Sequence, residues 1–249
     1  MGIINLEQFC EGYHALLESK PDMKDLIGTG RSLLGELLAH RDWFGDILRK
    51  ILFDQKFLAD QKPGIWPNEI TLYRSPDRAF VVLCYMWGPY TADTVHDHGS
   101  WGIIGSFFQS IAERKYARLD DGKVEGHAEL KEVHSHVIAP GETTYVLPLG
   151  KGIHKMENLS DDLAITINVY GRSIRKGYIQ FFDPEKNSVR RVYPPNTLRE
   201  ALAIRALGSL DAPWSEELLK RALAGGFPEH IKKEVEMSLD ILKMKNSRR

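Results

Sequence analysis

Apolar residues recur at three- and four-residue spacing in LEQFCEGYHALLE (6–18) and WFGDILRKILFDQKFL (43–58), the period of one helix face. Residues from about 5 to 60 therefore predict a helical zone, ended by Pro63, Gly64 and Pro67. From about Glu69 to Tyr193 the pattern changes. Short runs rich in Val, Ile, Tyr, Phe and Thr (AFVVLCYMW, WGIIGSFFQSI, EVHSHVIA, TTYVLP, AITINVY, GYIQFF, SVRRVY) are separated by SPD, DDG, APGE, PLGKG and DPEKN. Evenly spaced short strands with such turns predict a mainly β sandwich or barrel. Beyond Pro194-Pro195 the helical period returns in NTLREALAIRALGSL, APWSEELLKRALAGG and PEHIKKEVEMSLDILKMK. Asn196 reads as an N-cap, Gly225-Gly226 and Pro228 as punctuation, and the tail KMKNSRR as a solvated, fraying end. The expected organisation is a helical segment over 1–68 packed on a barrel over 69–195, with a helical extension over 196–249.

Composition narrows the classes of function. At 43% hydrophobic the chain has enough apolar material for a core, and a formal net charge of −1 gives no global field toward nucleic acid or an anionic membrane. No apolar run approaches the roughly 20 residues of a bilayer span, and MGIINLEQFC lacks the basic-then-apolar order of a secretory leader. Cys10 and Cys84 are too few and too far apart for a disulfide framework or a zinc knuckle. A reducing cytoplasm is the compartment this usage suggests.

The nine histidines are unevenly placed. TVHDHGSWG sets His96 and His98 two apart, on one face of a strand, with Asp97 on the other. An isolated pair of this kind is usually a solvated strand face. Here a third imidazole follows: APGETTYVLPLGKGIH runs turn, strand, turn and then His154 at the start of a new strand. Three imidazoles on one barrel face suit Fe(II), Zn, Cu or Ni, and zinc with three His and a water is equally reasonable chemistry. His134 and His136 in EVHSHVIAPG form a second such pair, but no suitably spaced third ligand follows, so they read as a polar strand face.

Gly88 with the His96/His98 pair resembles the first cupin motif, and Gly141, Pro148, Gly150, His154 and Asn158 resemble the second. The resemblance implies a cupin double-stranded β-helix barrel. Most metal cupins place a glutamate ligand soon after the first pair. The stretch GSWGIIG has none, so the expected ligand set is three neutral imidazoles. More narrowly, HDHGSWGIIG, GIHKMEN and the Tyr170 strand look like the thiol dioxygenases, meaning cysteine dioxygenase and bacterial relatives such as 3-mercaptopropionate dioxygenase. The likeness runs from about Leu72 to Tyr193. It implies one non-haem Fe(II) ion per chain, and conversion of a small carboxylate-bearing thiol and O2 to a sulfinate.

The family's Ser-x-His-x-Tyr strand matches Thr166, Asn168 and Tyr170. Tyr170 is the expected catalytic residue. Asn168, in place of histidine, hydrogen-bonds but cannot titrate. Arg74 is the first candidate to hold the substrate carboxylate, followed by Arg172 and Arg175, with Trp101 and Met156 as pocket lining. Gly102 falls where animal enzymes carry a cysteine cross-linked to the tyrosine, so no cross-link is expected, and Cys84 reads as core. The expected partners are the thiol and O2, with no nucleic acid or membrane. The helical ends could serve a homo-oligomer. Two other readings stay open: a three-His cupin oxygenase with a non-thiol substrate, and a non-catalytic cupin that binds a metal or metabolite.

Overall fold

Short polar side chains set where the first helices begin. The computed structural model describes residues 2–62, 64–210 and 212–247, so Pro63, one of the expected helix terminators, lies outside the described residues. Helix α1 (Leu6–Glu18) opens at Asn5, whose side chain accepts from the Gln8 amide, and α2 (Met23–Leu38) opens at Asp22, which accepts from Asp25. The single period read over 43–58 is two helices, α3 (Asp42–Phe53) and α4 (Gln55–Ala59). Asp54 divides them: its backbone is extended and its carboxylate caps the Phe57 amide. Helix α2 was the least legible because Gly28, Gly30 and Gly35 interrupt its apolar stripe.

The strands are β1 (Glu69–Arg74), β2 (Phe80–Trp87), β3 (Gly102–Phe108), β4 (Ile111–Arg118), β5 (Leu130–Ile138), β6 (Thr143–Val146), β7 (Ile153–Glu157), β8 (Ala164–Gly171), β9 (Ile179–Asp183) and β10 (Ser188–Val192). One sheet has the order β1-β2-β8-β3-β6, another β5-β4-β7, and β9 pairs with β10. The segment 92–96 bridges antiparallel to β7 at Ala92↔Glu157 and His96↔His154. With β2 as the first barrel strand and 92–96 as the second, the two sheets read 1-8-3-6 and 5-4-7-2. Apart from the β4–β5 hairpin, successive strands thus alternate between facing antiparallel sheets, which is the double-stranded β-helix, or jelly roll, of the cupins. The mainly β barrel expected from the strand pattern is the fold. WGIIGSFFQSI is not one strand: the chain turns at Gln109, with φ +57°, and the polar run IAERKYAR forms β4.

Alternation sorts the large sheet's side chains. Leu83, Tyr85, Trp87 and Ile104 face inward and meet Ile111, Ile138 and Met156. Val82, Cys84, Ile103, Ile167 and Val169 face outward, beneath Phe9, Tyr13, Leu34 and Phe44 of the helices. Both cysteines are free and buried, and burial pushes each thiol up to about 12, far from a reactive thiolate. Among the described residues, no helix is long and apolar enough to cross a membrane.

Residues 176–178 and 192–247 form a second unit. Its helices α5 (Pro195–Leu210), α6 (Ser215–Ala224) and α7 (Glu229–Asn246) enclose Tyr193, Ile204, Leu219, Ile231 and Val235. Buried Glu234 accepts from Tyr193 Oη at 2.7 Å and from Arg205 Nε at 2.8 Å. Asn196 is not the N-cap: α5 starts at Pro195, whose fixed φ suits the first helical position, and Asn196 instead accepts from Arg199. The tail does not fray at Lys243, since α7 continues to Asn246, while Arg248 and Arg249 lie outside the described residues.

Two glycines of α2 make opposite demands. A Cβ at Gly30 would be driven into Tyr13 Oη and Ile103 Cδ1, whereas one at Gly28 would meet nothing within 4 Å. Gly30→Ala should cost about 1–3 kcal/mol by overpacking, and Gly28→Ala should gain about 0.5–1 kcal/mol of helix stability. Urea unfolding midpoints of the two variants, moving in opposite directions, check this.

Candidate metal centre

Backbone pairing brings the three histidines together. His96 and His154 exchange N–H···O bonds of 2.9 Å each, and Leu149 N–H donates to the His98 carbonyl at 2.7 Å. The imidazole centroids then lie 4.7, 4.8 and 4.9 Å apart, and one donor nitrogen from each ring falls within 4.8 Å of the others. Among the described residues this is the one cluster with ligand geometry.

The ring nitrogens suit a metal. His96 Nδ1 is 2.8 Å from the Thr94 carbonyl, to which it donates, leaving Nε2 as the lone-pair nitrogen. His154 Nδ1 is 2.7 Å from Glu113 Oε1, which fixes the same tautomer. His154 Nε2 lies 2.9 Å from His98 Nε2. Two lone pairs converging this closely repel unless a proton or a cation sits between them. Burial, reinforced by the neighbouring imidazoles, holds the pKa of His96 and His98 well below the ordinary histidine value, so both are in the neutral, ligating form.

Glu113 is the functional residue that sequence reasoning missed. It lies on β4, fully buried, and its second oxygen accepts from Thr144 Oγ1 at 2.7 Å, with His136 Nε2 at 3.4 Å and Lys115 Nζ at 3.5 Å. Burial alone would raise its pKa, but the hydrogen bond and charge of His154, with Lys115 and Thr144, outweigh it and keep the carboxyl below the usual range. The triad has no carboxylate among its own donors, as expected, yet one stands directly behind it. The available signal was a charged residue in phase with Ile111 on an alternating run. A second buried acid, Asp93, accepts from the Met156 amide at 2.7 Å and lies 3.6 Å from His96 Nδ1; burial pushes its pKa well up.

Tyr170 stacks on His98 with centroids 5.1 Å apart and planes at 19°. Asn168 Nδ2 donates to Tyr170 Oη at 3.1 Å, while Asn168 Oδ1 is buried without a hydrogen-bond partner. Thr166 Oγ1 accepts from Trp87 Nε1 at 3.2 Å. Burial raises the Tyr170 phenol far above neutrality, so it stays protonated. Register sets Arg74, Val81, Tyr170, Gly102 and Val146 in one cross-strand row. A side chain at Gly102 would press on the Tyr170 ring. Beside the triad is a cavity of about 20 Å³ lined by Trp66, Tyr85, Trp87, Met156, Asn168 and Tyr170, among others. Trp66 went unanticipated. It meets His96 edge-on at 5.0 Å, from a stretch whose Pro and Gly mark only a boundary.

The candidate anchors fall in different places. Arg175 forms a bidentate pair with buried Asp97, at 2.7 Å through Nη1, and Asp97 also accepts from the Gln180 amide. Arg172 donates to the Asp77 carbonyl at 2.8 Å. Arg74 is exposed at the end of β1, with no hydrogen-bond partner among the described residues. Trp101 is turned from the triad: it lies on the helix side of the large sheet, stacked on Tyr13 at 6.3 Å, because that is where the outer apolar layer has room for it. Asn158 ties the loop rather than a ligand, donating to the carbonyls of Trp87, Gly88 and Asp162.

Glu113→Gln should weaken metal binding about 10- to 100-fold while leaving three imidazoles in place. Competition against a chromophoric chelator measures this. The lowered pKa values also fix a sign. Below about pH 6.5 the unfolded chain binds protons that the folded apo-protein refuses, so apo-protein stability falls with falling pH. Urea unfolding at pH 7.5 and 5.5 should show the loss, and His96→Gln should diminish it.

No family model matches the chain. Solved structures align over parts of it, from 41% to 50% of the chain in the examples compared. A Cupin_2 domain of an XRE-family transcriptional regulator from Enterobacter cloacae is 12% identical over 41% of this chain and 93% of its own, with TM-score 0.29. A Cupin 2 conserved barrel protein from Salinispora arenicola is 17% identical over 44% and 81%, with TM-score 0.31. A double-stranded β-helix protein from Klebsiella pneumoniae is 13% identical over 46% and 81%, with TM-score 0.32. At such values the alignments decide nothing by themselves, and it is the strand order, 1-8-3-6 facing 5-4-7-2, that makes this chain a cupin-fold barrel with a three-histidine cluster inside it.

Proposed function

We propose that the protein is a non-haem Fe(II) dioxygenase of the thiol type, taking a small carboxylate-bearing thiol and O2 to a sulfinate. The observation that carries this reading is a triad of three neutral imidazoles with the Tyr170 ring stacked on one of them. His96, His98 and His154 would hold the ion. Fe(II), when bound, supplies electron transfer toward O2 and lowers the pKa of a coordinated thiol. A ligand set without its own carboxylate leaves the anionic thiolate to balance the cation's charge.

The chain's own residues position and protect. Asn168 Nδ2 donates to Tyr170 Oη, so the phenol proton is free to point into the cavity and donate to an oxygen of the substrate. Because Asn168 does not titrate, this orientation persists across the neutral range. Trp66, Trp87, Tyr85 and Met156 keep bulk water out. Arg74 is favoured as the carboxylate anchor: it shares a cross-strand row with Tyr170 and is not committed to another hydrogen-bond partner, whereas Arg172 and Arg175 each have one. Both oxygens of O2 end on sulfur, so RSH and O2 balance RSO2H.

One observation favours a second reading, a cupin that binds metal without turnover. A cavity of about 20 Å³ holds roughly one water, so a substrate needs Trp66 or its neighbours to move. Anaerobic Fe(II) loading followed by O2 uptake with cysteine, cysteamine and 3-mercaptopropionate separates the two. Sulfinate carrying two labelled oxygens from ¹⁸O2 is expected, and its absence with every thiol overturns the dioxygenase reading. Tyr170→Phe should lower kcat about 10²-fold with iron retained. Arg74→Ala should raise KM about tenfold or more while kcat changes little.

A further inference from the structure

Strands β5 and β6 are the free edges of the two facing sheets, and no ladder joins them. A groove of about 720 Å³ runs along this opening, bounded by His134 and His136 of β5, Lys115 of β4, residues 143–145 of β6 and one side of α2. It is metabolite-sized. Its inner wall is unusual for a barrel. On the face where Ile138 is buried, the next two positions of β5 in the same phase are imidazoles, with rings 4.7 Å apart. Lys115 stands directly opposite His134 across the two strands, which sets two nitrogen-bearing side chains side by side on the groove wall.

Donors and acceptors in the groove are unequally committed. Arg31 is held by two bonds to Thr143, from Nε at 3.0 Å and Nη2 at 2.7 Å. That fixes the guanidinium and leaves Nη1 without a partner among the described residues. Neither ring nitrogen of His134 has a hydrogen bond there. Lys115 Nζ donates to Thr144 Oγ1 and the Tyr145 carbonyl, which aims it rather than leaving it to swing. Of the nearby acids, Glu142 accepts from the Ala139 amide at 2.9 Å, and Glu113, which serves His154 and Thr144, also lies 3.5 Å from Lys115 Nζ, so Lys115 is the partly committed donor of the set.

The α2 wall adds a separate observation. Gly28 and Gly35 both line the groove, and a Cβ at either would meet nothing within 4 Å. Packing does not call for glycine at these positions, and each costs the helix about 1 kcal/mol relative to alanine. Their effect is to hold the wall back from the donors.

We propose that this groove is a binding site for a small organic oxyanion, its carboxylate or phosphate group held by Arg31, Lys115 and His134. A fixed guanidinium edge, an aimed ammonium and an imidazole that line one groove from three elements are a donor set suited to such a group. The groove adjoins the metal centre through Glu113, which Lys115 Nζ and His136 Nε2 approach at 3.5 and 3.4 Å, but its donors are not those of the triad and the proposal does not rest on the thiol reading.

The test is isothermal titration of the full chain with sodium phosphate and, separately, succinate at constant ionic strength. Saturable one-site binding of at least one is expected, and which of the two binds names the group. Arg31→Ala and His134→Ala should each weaken it about tenfold or more. Gly28→Leu should fill the groove and abolish binding without lowering the unfolding midpoint. His98→Ala, which breaks the metal triad, should leave affinity within about twofold. The proposal is overturned by no saturable binding with either probe, by unchanged affinity in both Arg31→Ala and Gly28→Leu, or by loss of binding in His98→Ala, which would place the anion on the metal centre.

Discussion

The contact between Glu113 and His154, 2.7 Å long with both side chains buried, constrains most of what surrounds it. An ionised carboxylate inside a protein costs several kcal/mol unless its oxygens are matched. Here one oxygen is matched by an imidazole N–H and the other by a threonine hydroxyl, with an ammonium nearby. The matching holds only in one register. Lys115 faces His154 and Glu113 faces Met156 across β4 and β7, and a slip of one residue would turn Glu113 to the outer face. Register of the small sheet and geometry of the metal centre are therefore a single requirement.

The barrel interior is electrostatically uneven. Alongside its apolar layer of Leu83, Ile104, Ile111 and Ile138, three acids are handled differently: Glu113 and Asp93, with buried side chains, and half-buried Glu69. Glu113 is charged and paired. Asp93 and Glu69 are pushed toward protonation by burial, Glu69 while accepting from Tyr85 Oη at 2.9 Å. Neutral imidazoles amid carboxyl groups form a site that would suit a cation.

Much of this was readable in the chain. Strand alternation and turn residues gave the barrel, and the spacing of His96 and His98 put two imidazoles on one face, because period-two geometry needs no tertiary information, whereas His154 was picked out by its place after a turn, strand and turn and by the likeness to the second cupin motif. What escaped detection has a common cause. Strand β4 is charged in four of eight positions, Glu113 to Lys115 among them, so it lacked the apolar signature that marks a strand, and the carboxylate it carries was lost with it. Trp66 sits in irregular chain, where no periodicity assigns a facing side. The arginines escaped for another reason: long side chains are placed by their partners, and Asp97 is recognisable as the partner of Arg175 only once the loop following β8 is folded against it.

That last pair bears on how the sequence can vary. Asp97 lies between His96 and His98, is fully buried, and forms a forked contact with an arginine 78 positions later. Replacing Arg175 alone leaves the buried Asp97 carboxylate without its counter-charge, a loss of about 3–5 kcal/mol. Drift at one position is therefore tolerable only with a compensating change at the other. Related chains should carry Asp97 and Arg175 together or lack both, so the middle letter of the histidine motif is inherited as half of a couple rather than as a spacer.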